Sequence, residues 1–474
     1  MDTPDLMIEN RTFDELKVGD SASLTRTPSA QDIQLIATVS GDVNPAHVDP
    51  AYAKSDIFHR VIVHGIWGGA LISSVLGVRL PGPGTIYLDQ SLKFTRPVDI
   101  GDAVTATVTV AEKRAEHHIV ILDCVCVNQR GETVITGQAV VKAPTEKVRR
   151  PRAILADVRL SLHDRYRALL DAAAGGPPAS TAVVHPCDAA AIAAVVEAAA
   201  VGLIAPILVG PEAKIRAAAD AAGVDISAFR IVATPHSHAA AAQGVALVRA
   251  GEAQLLMKGS LHTDELMSAV VAEGALRTER RISHVYLMDV PGYPRPLLIT
   301  DAAINIDPDL EAKRDIVQNA IALAQVIGIP TPKVAILAAV ETINPKMRST
   351  LEAAALCKMA DRGQIMGGVL DGPLALDNAI SPAAAAEKGI VSPVAGQADI
   401  LLVPDLEAGN MLAKQLSFLG GADAAGIVLG AQVPIILTSR ADSARTRIGS
   451  CALAVLVARA KTPAQPEAAV VAAA

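Results

Sequence analysis

The chain has 474 residues, more than one ordinary hydrophobic core supports, so two or three domains are expected. Apolar residues make up 51% of the chain and charged residues 19%, which predicts globular order nearly throughout. The 42 lysines and arginines stand against 49 acidic residues, and the net charge of −7 argues against a nucleic-acid surface and a polybasic membrane anchor.

Targeting signals are missing from the sequence pattern. No apolar run reaches the roughly 18 to 20 residues of a membrane helix, and the acidic start lacks the apolar segment of a secretory signal. The five cysteines are scattered, odd in number and without a CxxC pair, so we expect buried, reduced thiols. These features predict a cytoplasmic protein with neither a membrane nor a nucleic acid as partner.

The first part of the chain reads as one apolar helix followed by long strands. Residues 61–80 are apolar nearly all round, as in a buried helix, and a Pro-Gly-Pro-Gly segment follows as a stop. Strand-like stretches come next, at 85–95, 103–113, 119–128 and 133–142. We therefore predict an α+β hotdog domain over residues 1–143, with an antiparallel sheet around a central helix. Its sheet edges favour a homo-oligomer.

A compact polar segment precedes the predicted helix. Residues 40–49 read Ser-Gly-Asp-Val-Asn-Pro-Ala-His-Val-Asp, and the glycine and proline force a turn that lets Asp42 and His47 converge. A carboxylate and an imidazole around one water can deprotonate it and return a proton to a neighbouring carbon. That chemistry adds water to a double bond conjugated to a thioester. The alternative is an Asx turn with a capping histidine.

Residues 12–142 resemble the MaoC-like, (R)-specific enoyl-CoA hydratase family. The match lies in the Ser-Gly-Asp-x-Asn-Pro-x-His-x-Asp signature, in His64-Gly65-Ile66-Trp67 and in the segments 81–87 and 94–98. The resemblance implies hydration of trans-2-enoyl-CoA to (R)-3-hydroxyacyl-CoA, with Asp42 and His47 as the catalytic pair. It also implies that backbone N–H groups near Gly65 polarise the thioester carbonyl at the helix amino end.

A basic, proline-bearing run predicts an exposed linker over residues 144–157, and the hydrophobic pattern of the sequence changes after it. Short apolar runs then alternate with alanine-rich helical stretches, as for strands buried on both faces of a parallel sheet. The runs lie at 205–209, 230–233, 254–257, 284–290, 297–300, 334–339, 400–403 and 433–437. We predict an α/β domain with largely parallel sheets over 158–462, followed by a flexible tail over 463–474.

Several of these runs finish on polar residues, where open α/β sheets build ligand sites. Lys258-Gly259-Ser260 follows one run, and Thr438-Ser439-Arg440 follows another. The second turn also precedes a helical stretch, so its arginine can bind an oxyanion with two donors, and the hydroxyls of Thr438 and Ser439 can add to them. The alternative is a helix cap with a surface arginine.

From about residue 182 to 460 the chain is similar to the phosphate acetyl/butyryltransferase family. Matching segments lie at 257–260, 282–285, 297–302, 371–377 and 404–410 and in the Ser439-Arg440 turn. The family transfers an acyl group between coenzyme A and inorganic phosphate. By this resemblance, Ser439 and Arg440 belong to the catalytic turn, and Lys258, Gly259, Ser260 and Thr438 bind substrate.

The chain departs from acetyl-specific members at two positions. They carry an aspartate base seven residues beyond the serine, where Thr446 stands here, and we expect Asp442 to act instead. They also carry an arginine where this chain reads Leu-Met-Ser at 266–268. One alternative is therefore a degenerate, non-catalytic CoA-binding or assembly domain. No GxGxxG or P-loop is found, so neither a nicotinamide nor an ATP site is expected. No cofactor and no metal is implied, and the expected substrates are CoA thioesters and phosphate.

Overall fold

The computed structural model describes residues 7–153, 158, 164–438 and 442–461. The predicted catalytic residues Ser439 and Arg440 lie outside this part of the chain, as does the predicted tail. Contacts divide the chain into two compact units, Met1–Leu160 and Ser161–Ala474. Among the described helices, none combines the length and apolar character needed to cross a membrane.

The first unit begins with short strands, continues through helices and ends in long strands. Its strands are β1 (Met7–Glu9), β2 (Ser21–Arg26), β3 (Ile86–Gln90), β4 (Lys93–Phe94), β5 (Val104–Arg114), β6 (Ile119–Val127), β7 (Thr133–Lys142) and β8 (Arg149–Pro151). Its helices are α1 (Ala30–Ser40), α2 (Pro45–Val48), α3 (Pro50–Ser55) and α4 (Gly65–Val78).

The long strands form an antiparallel sheet around α4. The sheet order is β2-β5-β6-β7-β3, and β4 also pairs with β7. Alternate residues of β5 are buried, and Val108 packs in one core cluster with Ile72 and Val75 of the helix. This period of two buries one face of each strand against the apolar helix. The hotdog prediction is confirmed, although the stretch predicted at 85–95 is divided into β3 and β4.

The segment after β7 belongs to the first unit. β8 pairs antiparallel with β1, and the backbone N–H of Asn10 donates to the Val148 carbonyl at 3.1 Å. Lys147 forms ion pairs with Glu9 and Glu15 at 3.2 and 2.9 Å. The unit therefore extends beyond the predicted boundary at 143, because residues 146–151 bond back to the beginning of the chain. Residues 154–157 of the predicted linker lie outside the described part.

The second unit alternates strands and helices. Its strands are β9 (Ala179–Val184), β10 (Ile204–Gly210), β11 (Arg230–Ala233), β12 (Leu255–Lys258), β13 (Ser283–Asp289), β14 (Leu297–Thr300), β15 (Lys333–Leu337), β16 (Val369–Leu374), β17 (Ile400–Leu402), β18 (Asp423–Leu429) and β19 (Ile435–Ile436). Its helices are α5 (Asp164–Ala174), α6 (Ala189–Ala200), α7 (Glu212–Ala222), α8 (Ser237–Arg249), α9 (Thr263–Val271), α10 (Leu310–Val326), α11 (Arg348–Asp361), α12 (Leu376–Ile380), α13 (Pro382–Glu387), α14 (Leu406–Phe418) and α15 (Ala444–Lys461).

These strands join one sheet in the order β11-β10-β9-β12-β19-β18-β13-β14-β17-β15-β16. The described pairings are parallel except for β13 with β14 and β18, and β18 with β19. The prediction of a largely parallel α/β sheet is confirmed. Because β9, β12 and β19 are parallel neighbours, their carboxyl ends meet at one edge of the sheet.

Candidate active sites

The turn that carries Asp42 and His47 is built by local backbone chemistry. Helix α1 ends at Gly41, whose φ of 75° is a left-handed conformation that glycine adopts without strain. The side chain of Asn44 then accepts a hydrogen bond from the Ala46 N–H and caps α2. Asp42 is left between the two helices, while His47 lies in α2, only four residues long.

The imidazole of His47 has a defined orientation. Its Nδ1 lies 2.8 Å from the carbonyl oxygen of Ile62. Since a carbonyl oxygen only accepts, Nδ1 donates, and in the neutral ring Nε2 keeps the lone pair. The second nitrogen of His47 is therefore the one that can accept a proton from water.

The structure adds His64 to the predicted pair. This residue is the N-cap of α4 and is buried, and its Nε2 donates to the Asp42 carbonyl at 3.1 Å. Its ring stacks on His47 with centroids 4.0 Å apart and an interplanar angle of 30°. The signal for His64 in the sequence was a histidine at the start of an otherwise apolar helix, which was interpreted only as a turn.

Within the described residues, one group of side chains could hold a metal ion, and it consists of Asp42, His47 and His64. Each offers one ligand atom, and these atoms lie within 4.8 Å of one another. One carboxylate and two imidazoles form a donor set that zinc accepts. The expectation that no metal takes part stays a prediction.

An apolar cavity of about 340 Å³ opens beside the two histidines. Gly65, Trp67 and Phe94 contribute to its wall. A Cβ at Gly65 would lie 2.9 Å from the Phe94 ring, so this exposed ring would have to shift to admit a side chain there. Gly65 is the first residue of α4, so its N–H has no partner within the helix and lies at the positive end of the helix dipole.

In the second unit, two strand ends are bonded together. The Gly259 N–H after β12 donates to the Val184 carbonyl of β9 at 2.8 Å. The N–H and hydroxyl of Ser260 both donate to the His185 carbonyl, at 2.9 and 2.8 Å. A Cβ at Gly259 would lie 2.5 Å from the Val184 oxygen, so only glycine permits this approach. The predicted Lys258-Gly259-Ser260 turn is thereby attached to the end of β9.

A cavity of about 490 Å³ lies at this edge of the sheet. The predicted binding residues Lys258, Gly259, Ser260 and Thr438 all line it. The sequence pattern did not predict the other charged and titratable residues of its wall, which are His185, Cys187, Asp188, Lys214 and Arg447. A clue was present, because His185 directly follows the apolar residues 182–184, as Lys258 follows the apolar run predicted at 254–257.

The cavity wall is cationic and partly desolvated. Lys214, Lys258 and Arg447 carry positive charge in it. Burial lowers the pKa of His185, the nearby Lys214 lowers it further, and Glu265 raises it. Burial also raises the pKa of the Cys187 thiol to about 11. A wall of this kind suits an anionic ligand such as a phosphate.

Asp442 is not among the described residues that line this cavity. Its carboxylate lies near enough to Tyr286 of β13 to affect that phenol. Burial first and Asp442 second raise the pKa of that phenol to about 12. The structure therefore brings together Lys258, Gly259, Ser260 and Thr438 but does not add Asp442 to them.

The protein therefore has two domains, a hotdog unit and an α/β unit. The cationic cavity at the strand ends of the second unit suits anionic ligands. Residues 233–455 match the family described as phosphate acetyl/butaryl transferase, and residues 14–122 match the MaoC like domain. A phosphate acetyltransferase of Rhizobium meliloti is 65% identical over 302 residues, which cover 64% of this chain and 96% of that protein. The chain belongs to the phosphate acetyl/butyryltransferase family and carries a MaoC-like domain in its first unit.

Two solved structures are also similar. A branched-chain phosphotransacylase from Enterococcus faecalis V583 is 31% identical, with a TM-score of 0.53, over 59% of this chain and 99% of its own. The R-hydratase PhaJ1 from Pseudomonas aeruginosa is 42% identical over 33% of this chain and 99% of its own, with a TM-score of 0.32. The first of these agrees with the α/β fold of the second unit.

Proposed function

We propose that the second unit transfers an acyl group between coenzyme A and inorganic phosphate, giving an acyl phosphate and free CoA. The observation that carries this proposal is the cavity where β9, β12 and β19 end, with Lys214, Lys258 and Arg447 in its wall. Phosphate and the phosphates of CoA are anions that such a wall attracts. The name of the Rhizobium meliloti relative supports acetyl as the acyl group.

In this reaction a phosphate oxygen attacks the thioester carbonyl carbon, the carbon–sulfur bond breaks, and the CoA sulfur takes up a proton. Thr438 lines the cavity and leads directly into Ser439 and Arg440. We assign Arg440 to the phosphate or the carbonyl oxygen, since its planar fork binds oxyanions with two donors. Ser439 would hydrogen-bond the CoA sulfur or the tetrahedral intermediate.

The test is an assay of the purified full-length protein with acetyl-CoA or butyryl-CoA and phosphate. We expect phosphate-dependent release of CoA and formation of a hydroxylamine-trappable acyl phosphate, faster with the acetyl substrate. Arsenate should replace phosphate and consume acyl-CoA without a stable product. If neither anion promotes loss of acyl-CoA, the second unit is the degenerate binding domain considered as the alternative.

We infer that the first unit hydrates trans-2-enoyl-CoA to (R)-3-hydroxyacyl-CoA. The observation that carries this inference is that ligand atoms of Asp42 and His47 lie within 4.8 Å of one another and that His47 lines an apolar cavity. His47 Nε2 would take a proton from a water held with Asp42, the resulting hydroxide would add to C3, and a proton would return to C2. The N–H of Gly65 would polarise the thioester carbonyl as charge moves onto its oxygen.

This second activity is tested with crotonyl-CoA and water, following loss of the enoyl absorbance and the configuration of the product. Asp42→Asn and His47→Ala should each lower hydration by several hundred-fold, within the range of about 10² to 10⁴ for a positioned acid or base. His117→Ala changes an exposed histidine and serves as the control. Hydration within a few-fold of the parent in both active-site variants would refute the assignment.

Neither proposed reaction uses a cofactor or a metal. The acyl transfer and the hydration should both survive dialysis against a chelator without loss of rate. Loss of hydration on chelation, with recovery on adding zinc, would instead mean that Asp42, His47 and His64 hold a metal.

A further inference from the structure

We propose that His185 is the base that removes the proton from the CoA thiol and returns it in the opposite direction of the acyl transfer. This proposal rests on the acyltransferase function proposed for the second unit. It assigns a catalytic role to a residue outside the Ser439-Arg440 turn, at the end of β9, which is separated from β19 by β12.

His185 is held firmly at the carboxyl end of β9. Its carbonyl oxygen accepts two hydrogen bonds from Ser260, and the Ser260 hydroxyl in turn accepts one from the Cys187 N–H at 2.8 Å. Its φ of 55° lies in the left-handed region, which a residue other than glycine seldom adopts. Such conformations persist where surrounding contacts impose them, and they concentrate at functional sites.

The other polar groups of the cavity wall are less suited than His185 to accept this proton. Asp188 accepts a hydrogen bond from the Ala191 N–H at 2.7 Å and caps α6. The Cys187 thiol, with its pKa near 11, stays protonated at neutral pH. Lysine and arginine cations have no acceptor atom.

The imidazole of His185 is better suited to accept the proton. It lines the cavity, and because its Nδ1 is buried, the proton from CoA would be accepted at Nε2, the other ring nitrogen. Because its pKa is lowered, the ring is neutral near pH 7 and can accept a proton. It is therefore the side chain of the described wall best suited to act as a base.

The position that an aspartate base occupies in acetyl-specific relatives gives no competing candidate. Thr446 stands there, and its N–H donates to the Ser443 hydroxyl at 3.1 Å in the first turn of α15. Asp442 acts on Tyr286 and is not part of the cavity wall. His185, directly after β9, thus supplies the acceptor that neither residue provides in the cavity.

The proposed proton transfer accompanies the exchange of bonds at the acyl carbon in both directions. In the direction of acyl-CoA formation, the thiol proton moves to the imidazole, and the thiolate attacks the carbonyl carbon of the acyl phosphate. A carbon–sulfur bond forms, the bond from carbon to the phosphate oxygen breaks, and phosphate leaves as an anion. In the reverse direction the imidazolium protonates the departing CoA sulfur.

The groups around His185 set the pH at which the step works. Glu265 of α9 raises its pKa, whereas burial and Lys214 of α7 lower it. Lys258 and Arg447 add positive charge to the same wall, which also contains Cys187 and Asp188. The rate of acyl-CoA formation should therefore be constant near neutrality and decline on the acid side, where the imidazole becomes protonated.

The experiment follows acetyl-CoA formation from acetyl phosphate and CoA with the full-length protein. His185→Gln and His185→Ala should lower kcat by about 10²-fold or more, with KM for both substrates within about three-fold of the parent. The acid decline should disappear in His185→Gln, and added imidazole should restore part of the rate to His185→Ala. His238→Gln is the matched control, because His238 lies 3.8 Å from Glu265 but does not line the cavity.

A kcat within three-fold of the parent in both His185 variants, or an unchanged acid decline in His185→Gln, overturns the proposal. If circular dichroism shows that these variants do not fold, Glu265→Gln replaces them. Its acid decline should move to lower pH, because the carboxylate that raises the pKa of His185 is gone, and an unmoved decline contradicts the role of His185. A parent protein without acyl transfer would instead contradict the proposed function itself.

Discussion

His64 contacts Asp42 from the amino end of α4, with its Nε2 3.1 Å from the Asp42 carbonyl oxygen and 3.9 Å from the carboxylate. The same ring stacks against His47. One buried imidazole therefore contacts both members of the predicted catalytic pair. We interpret His64 as a positioning residue, which fixes the backbone of Asp42 and the plane of the His47 ring.

Replacing His64 should slow hydration, because the Asp42 backbone and the His47 ring would no longer be held in position. His64→Leu keeps an apolar volume but loses the hydrogen bond to Asp42, and a lost hydrogen bond of about 0.5 to 1.5 kcal/mol corresponds to about a two- to ten-fold lower kcat. His64→Gln can still donate to the Asp42 carbonyl, so it should recover part of the rate. Equal crotonyl-CoA hydration by the leucine variant and the parent would exclude the positioning role.

Cooperating residues can be predicted from the sequence when they lie close together in the chain. Asp42 and His47 share one turn, so a local motif was enough to predict the pair. His64 joins them from 22 residues away, and the contact between Ser260 and His185 spans 75. The spacing of residues in a local pattern carries no information on such contacts, since they depend on which strand and helix ends become neighbours.

Strand β18 illustrates a second limit of prediction from the sequence alone. Its alanines and Gly426 do not form the bulky β-branched run expected of a buried strand. The structure explains the glycine, because a Cβ there would lie 2.8 Å from the Tyr286 ring and 2.9 Å from His284 Nε2. A glycine inside a strand can mark such a close approach, but the partner rings become evident only from the pairing of β18 with β13.

Arg440 remains a prediction from the sequence, since it lies outside the described residues. Lysine keeps the charge but loses the two-donor geometry, so Arg440→Lys should be impaired in phosphate-dependent acyl transfer and Arg440→Ala impaired more. A lost charge-assisted hydrogen bond of about 1.5 to 3 kcal/mol corresponds to about a ten- to hundred-fold lower rate or more. Hydration of crotonyl-CoA is the internal control. Unchanged acyl transfer in Arg440→Ala would mean that this turn serves only as a helix cap.

Gly259→Ala should disrupt the acyltransferase site. The new Cβ would lie 2.5 Å from the Val184 carbonyl oxygen and 2.6 Å from that of His185, and backbone atoms cannot yield cheaply. We expect the unfolding free energy to fall by about 1 to 3 kcal/mol, as in overpacked sites, and acyl transfer to fall by at least ten-fold. Gly175→Ala is the control, because its nearest neighbour lies at 3.6 Å. A fully active Gly259→Ala protein would contradict the close approach of these strand ends.

The first unit should fold alone when its last strand is retained. A fragment of residues 1–160 keeps β8, whereas a fragment ending at Thr145 removes both partners of the buried Asn10 side chain, the Glu146 carbonyl at 2.8 Å and the Val148 N–H at 2.9 Å. An unsatisfied buried polar group costs about 1 to 3 kcal/mol. Thermal melts should therefore show the longer fragment to be the more stable, and both should be compared for crotonyl-CoA hydration. Identical melting temperatures would mean that the β1–β8 pair contributes nothing.

A buried histidine in the second unit should make its stability depend on pH. Burial lowers the pKa of His284 to about 3, and neither ring nitrogen has a hydrogen-bond partner among the described residues. Above its ordinary pKa of about 6.5 the side chain is neutral in both folded and unfolded chains, so it adds no pH dependence there. As the pH falls from about 6.5 toward 3, the unfolded chain binds a proton that the folded chain excludes, and stability is lost.

The loss attributable to His284 between pH 7 and pH 5 should be about 2 kcal/mol, because each pH unit below the unfolded pKa contributes about 1.4 kcal/mol. Urea denaturation at the two pH values measures this difference. His284→Leu removes the titrating group, so its stability should fall less over the same interval than that of the parent. His238→Gln, which changes an exposed histidine, should keep the parent's dependence. The same loss in His284→Leu as in the parent would show that His284 is protonated as readily in the folded chain as in the unfolded one.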